Sequence, residues 1–84
     1  MFDTSRKYEI LATVNGSQAI CFLEHLRGEW TISCPSMTNT EGWSTLASTN
    51  LSIEALDTIQ PHQESGQYFT SMKLKTDGEN LKIV

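Results

Sequence analysis

The first third of the chain alternates between apolar and polar residues, which predicts two antiparallel strands. Residues 7–14 are rich in strand-forming types, and the dipeptide Asn15-Gly16 that follows them is a strong signal for a two-residue hairpin turn. Because the turn decides which positions face each other, it also predicts the register. The expected pairs on the apolar face are Val14 with Ser17, Ala12 with Ala19, Ile10 with Cys21, and Tyr8 with Leu23.

The second strand is expected to run to about Leu26, where Arg27-Gly28 forms a weaker turn signal. A two-residue turn here predicts a third strand, which ends at Pro35 because proline cannot donate to a ladder. Both cysteines are expected to be small buried thiols, since a disulfide would require an oxidising compartment. In this register the apolar face continues with Leu23 opposite Ile32, His25 opposite Trp30, and Cys21 opposite Cys34.

A polar segment, residues 35–50, separates this meander from a predicted helix, and residues 43–47 within it are a candidate for a short extra strand. Ser52 is a suitable N-cap, and Glu54 in the first turn matches the helix dipole. Pro61 is expected to end the helix, because the residue before a proline is pushed out of the helical region. The predicted buried stripe of the helix consists of Ile53, Ala55, Leu56 and Ile59.

Residues 67–76 and 79–84 are predicted to form a second hairpin, turned at Asp77-Gly78. Its apolar residues would share one face and its lysines the opposite face. The turn predicts Leu74 opposite Leu81, Met72 opposite Ile83, and Lys73 opposite Lys82 with Lys75 beside them.

These elements predict an α+β fold in the order β-β-β-(β)-α-β-β, a mainly antiparallel sheet with one short helix packed on it. A small β-barrel with one helix is the alternative. The chain has 84 residues, enough for a single small globular domain over residues 1–84. It has no apolar run long enough to span a membrane and no secretory leader at its start, so we expect a cytoplasmic protein without membrane contacts.

The net charge of -4 is distributed unevenly along the chain. Residues 28–72 contain no lysine or arginine but carry five acidic residues, whereas the segments on either side are balanced or slightly basic. An acidic surface of this kind either keeps a protein in solution or meets a basic partner. The acidic balance, and the lack of aromatic residues interleaved with the lysines, argue against direct nucleic-acid binding.

No group of residues has the composition and spacing of a catalytic or metal site. Cys21 and His25 would lie roughly 13 Å apart on an extended strand, too far to share one metal ion. Neither histidine has a carboxylate or a nucleophile at a useful spacing. We therefore expect a protein that is not an enzyme, with no catalytic residues, no metal and no cofactor.

The leading hypothesis is a non-enzymatic protein-binding module, an inhibitor or adaptor that occupies the surface of a basic protein partner. Small acidic domains of this kind are often encoded by phages or mobile elements, as viral proteins that block a host protein handling nucleic acid. The residues predicted to bind the partner are Trp43 as the anchor and four acidic residues, Glu41, Glu54, Asp57 and Glu64.

Two alternative functions stay open at this point. One is a homo-oligomer, such as a homodimer, or a partner contact through an apolar patch on the second face of the first hairpin, formed by Leu11, Ile20 and Phe22. The other is the binding of a small anion or nucleotide by the one local basic cluster, which would otherwise protect a sheet edge and consists of Lys73, Lys75 and Lys82.

Overall fold

Strands account for most of the chain in the computed structural model. The structure describes residues 2–38, 44–61 and 67–84. In these ranges it contains seven strands and one short helix, which are numbered here in chain order: β1 (Tyr8–Val14), β2 (Ser17–Leu26), β3 (Glu29–Thr38), β4 (Ser44–Asn50), α1 (Ile53–Leu56), β5 (Ile59–Pro61), β6 (Tyr68–Asp77) and β7 (Asn80–Ile83).

Six of the seven described strands close into a barrel in the order β1-β2-β3-β4-β7-β6, and β5 lies beside β6. The neighbours within each hairpin are antiparallel, but the barrel closes through two parallel contacts. These join β1 to β6 and, through Ser48 and Asn80, β4 to β7. The alternative prediction of a small β-barrel is therefore confirmed, and the α+β prediction holds only for its antiparallel hairpins.

The predicted meander over β1, β2 and β3 is confirmed. Asn15-Gly16 and Arg27-Gly28 form its two turns, and all four residues have positive φ, between 52° and 82°. That backbone is characteristic of type I′ turns, whose twist matches the flanking strands. The observed pairs include Ile10 with Cys21, Tyr8 with Leu23, Leu23 with Ile32, and His25 with Trp30.

β3 and β4 extend further than predicted. β3 continues past Pro35 because its register against β4 shifts between Pro35 and Met37, and such a bulge accommodates a residue without an N–H. β4 covers most of the second half of the polar segment, where the threonines suit a strand. The predicted short extra strand over residues 43–47 is thus present from Ser44 and extends to Asn50, while residue 43 lies outside the described residues.

The predicted apolar face of the meander fills the interior of the barrel. Ile10, Leu23 and Ile32 are completely enclosed, and so are Cys21 and Cys34. The Cα atoms of the two cysteines are 4.5 Å apart, and a disulfide joins them where thiols were expected. This distance is typical of a non-hydrogen-bonded pair on neighbouring antiparallel strands, which is why the two positions can be bridged.

α1 begins where predicted and ends well before Pro61. The Ser52 hydroxyl accepts a hydrogen bond from the Ala55 N–H, as an N-cap does. The Thr58 hydroxyl then donates to the Ala55 carbonyl oxygen at 2.6 Å, and the chain turns into β5, which pairs with β6. The prediction that Pro61 ends the helix is therefore wrong, because Pro61 belongs to a strand that the sequence analysis did not predict.

The predicted buried stripe of α1 is only partly present. Ile53 is 78% exposed and takes no part in the core. Ala55 and Leu56 pack partly against the core, and Ile59 is buried as a residue of β5 rather than of the helix. A single helical turn has too few positions to cover a barrel, so α1 depends on its tertiary contacts.

The second hairpin turns one residue later than predicted. Gly78 and Glu79 form the turn, so that Asp77 faces Asn80. Gly78 has a φ of 60°, whereas Glu79 is not among the residues with positive φ. This combination is the one expected of a type II′ turn, in which glycine occupies the first central position.

The later turn changes the partners in this hairpin but not the faces. Moving a turn by one residue shifts each partner by two positions, and side chains two apart on a strand share a face. The predicted pairs of Leu74 with Leu81, Met72 with Ile83, and Lys73 with Lys82 are wrong. The observed pairs are Leu74 with Ile83, Thr76 with Leu81, and Lys75 with Lys82.

Candidate functional site

Four aromatic side chains meet at one end of the barrel. The ring of Phe2 lies 4.8 Å from Tyr8, 5.0 Å from Tyr68 and 5.8 Å from Trp30, measured between ring centres. Tyr8 and Tyr68 are near the starts of β1 and β6, which run in parallel, so the register brings them to the same end. The predicted packing pair of His25 and Trp30 is confirmed at 5.1 Å beside them.

The segment before β1 is held against this aromatic cluster by hydrogen bonds. The Asp3 N–H donates to the Tyr8 hydroxyl oxygen at 2.7 Å. The Asp3 carboxylate accepts from the N–H of Ser5 and from its hydroxyl, and these bonds, with the positive charge of Arg6, hold the pKa of Asp3 below its ordinary value. The segment is thereby shaped so that Phe2 turns onto the barrel.

An apolar groove opens between the aromatic cluster and α1. Its volume is about 730 Å³, within the range of sites that enclose a small ligand or a peptide side chain. The strongly exposed Ile53 belongs to this groove. The described residues that line it are Phe2, Trp30, Ile53, Leu56, Asp57, Ile59, Pro61 and Tyr68.

A chain of hydrogen bonds holds the α1 side of the groove to β6. The Met72 N–H donates to the Thr70 hydroxyl oxygen, and the hydroxyls of Thr70 and Thr58 lie 2.8 Å apart. Because the single Thr58 hydrogen is used at the Ala55 carbonyl, Thr70 is the donor between the two hydroxyls. The buried Thr70 is thus satisfied, and α1 has a defined position beside the groove.

Negative charge dominates the α1 side of the groove. Asp57 lines it, and Glu54 is exposed three residues earlier on the same helical turn. No lysine or arginine is among the described lining residues. Arg6 is placed beside the aromatic cluster, with its guanidinium carbon 5.3 Å from the centre of the Tyr8 ring, but its charge is offset by Asp3. The groove can therefore receive an apolar group that carries a cation next to it.

The structure places only part of the predicted partner-binding set. Glu54 and Asp57 are exposed, and Asp57 lines the groove with Glu54 nearby, on a surface that no local sequence pattern indicates. Trp43, Glu41 and Glu64 lie outside the described residues. The aromatic walls of the groove were missed because Phe2, Trp30 and Tyr68 are far apart in the chain, and no local pattern shows that these parts of the chain meet.

The predicted apolar patch lies on the outer wall of the barrel. Leu11 faces Ile20 on β2 and Phe69 on β6, so that three neighbouring strands each contribute one apolar side chain to a row. Ile20 is 45% exposed and Phe69 39%. Phe22 is half-buried, and the Lys7 ammonium lies 4.9 Å from the centre of its ring. Phe69 was missed because its position depends on the β1–β6 contact.

The three predicted lysines lie on the outer wall of β6 and β7, towards the end opposite the groove. Lys75 and Lys82 face each other, and Lys73 is the next residue of β6 on the same face. All three are exposed. Lys73 and Lys75 line a second cavity of about 430 Å³.

Metal ligands, membrane-spanning helices and similarity to known proteins also bear on the site. Within the described ranges, no three His, Cys, Asp or Glu side chains are grouped so that they could hold a metal ion. No helix in those ranges has the length and apolar character needed to cross a membrane. No family model matches the chain, and no curated protein or solved structure shows a significant similarity to it.

Proposed function

We propose that the protein is a non-enzymatic protein-binding module whose groove receives an apolar side chain from a basic segment of its partner. One observation carries this proposal. Of the described residues that line the groove, Asp57 alone carries a charge, and that charge is negative. The module would act as an inhibitor or adaptor, by occupying the surface of its partner.

The walls of the groove support an apolar anchor. Trp30, Tyr68 and Phe2 present aromatic surface, and Leu56 and Ile59 complete the side formed by α1 and β5. Interfaces obtain most of their binding energy from a few anchors of this kind that enter pockets. An aliphatic or aromatic side chain of the partner would lose its contact with water there.

The charges around the groove support a basic partner. Residues 28–72 contain no lysine or arginine, so every formal charge in that stretch is negative. Asp57 and Glu54 would attract a lysine or arginine beside the anchor. Rim charges of this kind increase the association rate and make binding sensitive to salt.

The chemistry of the lining residues supports binding over catalysis. Asp57 and Tyr68 are the ionisable side chains among the described lining residues. Among the described lining residues there is no serine, cysteine, lysine or histidine that could act as a nucleophile or base beside them.

A peptide titration tests the proposal. The probe is a capped hexapeptide with a central Leu-Trp pair flanked by lysines, and its counterpart carries glutamates in place of the lysines. We expect the basic peptide to bind more tightly than the acidic one, to shift the NMR signals of Trp30 and Leu56, and to bind more weakly as salt rises. Equal binding of the two peptides, or shifts confined to another surface, would contradict the proposal.

Two variants and a matched control locate the interaction. Ile53→Ser removes an exposed apolar side chain from the groove. It should weaken binding of the basic peptide without a loss of stability, because Ile53 is not part of the core. Asp57→Lys should weaken binding of this peptide further. Glu79→Lys makes the same change in net charge at the far hairpin turn and should leave affinity nearly unchanged. An equal effect of Glu79→Lys would mean that only net charge matters.

The apolar row on the outer wall favours a second candidate function, self-association through β1, β2 and β6. Ile20, Leu11 and Phe69 form the row, and the nearby charges of Lys7, just before β1, and Glu9 on β1 are opposite in sign. A second copy would bring both signs of charge to such a contact. Sedimentation over a range of concentrations tests this candidate: a dimer that Ile20→Ser dissociates would support it, and a monomer at every concentration would remove it.

A further inference from the structure

The second hairpin concentrates positive charge at a position where the fold does not neutralise it. Lys75 and Lys82 are directly paired across β6 and β7, which brings their Cβ atoms to about 5 Å and costs stability through like-charge repulsion. Lys73 lies on the same face, roughly 7 Å along the strand. In the described part of the chain, none of the three lysines forms an ion pair.

The acidic residues of this hairpin offset the cluster only in part. Asp77 is the next residue of β6 on the lysine face, and it is paired with the neutral Asn80. Glu79 lies in the turn itself, where its backbone carbonyl accepts from the Ser48 N–H. The hairpin therefore carries three cations against two carboxylates, and Asp77 is the acidic residue that shares the strand face of Lys73 and Lys75.

A concave surface adjoins the lysines. The cavity of about 430 Å³ is lined by Thr13, Asn15, Gly16, Lys73, Leu74, Lys75 and Val84, and the charged side chains among them are Lys73 and Lys75. Its wall is held in place, because the Asn15 N–H donates to the Leu74 carbonyl oxygen at 2.9 Å and the Asn15 side chain is bonded to Thr76. Thr13, directly opposite Lys73, adds a hydroxyl that can donate.

We infer that this surface binds a small anion that carries two or more linked phosphate groups. A single phosphate would neutralise two of the lysines, whereas a linked pair can reach all three across the roughly 5 Å and 7 Å spacings of the sheet. Ammonium groups bind phosphate oxygens through charge-assisted hydrogen bonds. The small number of cations favours a small ligand over nucleic acid, whose affinity needs many phosphate contacts.

This site is separate from the groove. Tyr68 at the groove and Lys75 at the cavity are seven residues apart on β6, which corresponds to roughly 23 Å. The inference does not depend on the proposed protein-binding function, and either can fail without the other.

Calorimetric titration with inorganic pyrophosphate tests the inference, with sulfate as the comparison anion and sodium chloride used to keep the ionic strength equal. We expect pyrophosphate to bind at one site and about tenfold more tightly than sulfate. The double variant Lys75→Gln, Lys82→Gln should lose at least about tenfold in affinity for pyrophosphate. Lys7→Gln removes a lysine from the distant end of the barrel and should change affinity less than twofold.

Each of the following outcomes would overturn the inference. Equal binding of sulfate and pyrophosphate, or an equal loss with Lys7→Gln, would mean that only general attraction of anions occurs. A double variant that retains pyrophosphate binding would show that Lys75 and Lys82 do not form the site. If a single-stranded oligonucleotide binds more tightly than pyrophosphate, and its affinity depends more steeply on salt, the surface binds nucleic acid and not a small anion.

Discussion

Asn15 and Thr76 are joined by two hydrogen bonds, although 61 residues separate them in the chain. The Asn15 side-chain amide donates to the Thr76 hydroxyl oxygen at 2.9 Å, and the Asn15 side-chain oxygen accepts from the Thr76 N–H at 3.0 Å. The contact ties the turn of the first hairpin to β6 of the second. The turn residue therefore has two roles: it adopts the positive φ of a type I′ turn, and it helps to close the barrel.

Replacing Asn15 with glycine separates these two roles. Glycine keeps the positive φ that the turn requires but loses both side-chain hydrogen bonds. We expect Asn15→Gly to lower the free energy of unfolding by about 1 kcal/mol, because each exposed hydrogen bond contributes modestly. Urea denaturation measures the change. Thr76→Val removes one of the two bonds from the other side, and its effect should be smaller when Asn15 is already glycine; additive effects would contradict the contact.

Replacing Arg27 with glycine should have the opposite sign. Arg27 occupies the same turn position as Asn15, with a φ of 52°, but its exposed side chain makes no hydrogen bond or ion pair in the described residues. Glycine relieves the steric cost of the left-handed backbone and removes no contact. We expect Arg27→Gly to raise the unfolding free energy by about 0.5–1 kcal/mol, measured in urea as for Asn15→Gly. If Arg27→Gly lowers the unfolding free energy as Asn15→Gly does, the Arg27 side chain makes a stabilising contact in solution.

Reduction of the Cys21–Cys34 disulfide should lower stability without changing the fold. The two residues are 13 apart in sequence, so the bond closes a short loop in the unfolded chain, and loops of this size correspond to about 2–3 kcal/mol. Urea midpoints with and without a reducing agent give the difference, and circular dichroism checks the fold. The double variant Cys21→Ala, Cys34→Ala should not respond to the reductant. An unchanged midpoint of the unmodified protein would show that the pair is present as thiols in solution.

Acidification should loosen the segment before β1. The hydrogen bonds from Ser5 lower the pKa of Asp3 in the folded protein below its ordinary value of 3.8. Its stabilising effect is therefore fully present above that value and is lost as the pH falls through the pKa of the folded state. We expect the NMR signals of Phe2 to move towards unstructured positions at acid pH while the core signals stay in place. In Asp3→Asn this transition should be absent; an unchanged transition would assign it to another carboxyl.

The first three strands were predictable because their information is local. A two-residue turn sets the pairing of the residues that flank it, and both turns of the meander have sequences that tolerate positive φ. The alternation then places Ile10, Leu23 and Ile32 on one face. Burial of that face follows, since it is the larger apolar surface that the meander offers.

The second hairpin shows where a local signal is insufficient. Asp77-Gly78 and Gly78-Glu79 both provide a glycine for a tight turn, and they differ by one residue. The observed choice coincides with contacts outside the hairpin: the Ser36 hydroxyl donates to the Gly78 carbonyl oxygen, and the Ser48 N–H donates to that of Glu79. The division into an apolar and a lysine face was still predicted correctly, because the shift by two positions preserves the faces.

The candidate sites could be predicted only as single residues. The acidic character of Glu54 and Asp57 and the basic cluster around Lys75 are visible in the sequence. The groove beside Asp57 is not, because Phe2, Trp30 and Tyr68 come from three separate parts of the chain. Ile53 illustrates the same point, since a helical stripe predicts its burial, whereas α1 ends after one turn and Ile53 is exposed at the groove.

The sequence by itself determined the meander, its register, the helix start at Ser52 and the separation of acidic from basic segments. These features depend on neighbours in the chain, through turn geometry, alternation and capping. The tertiary structure decided that the sheet closes into a barrel, through the parallel contacts of β1 with β6 and of β4 with β7. Parallel pairing joins strands that are distant in sequence and leaves no turn signature, so the end that gathers the aromatic residues became visible only in three dimensions.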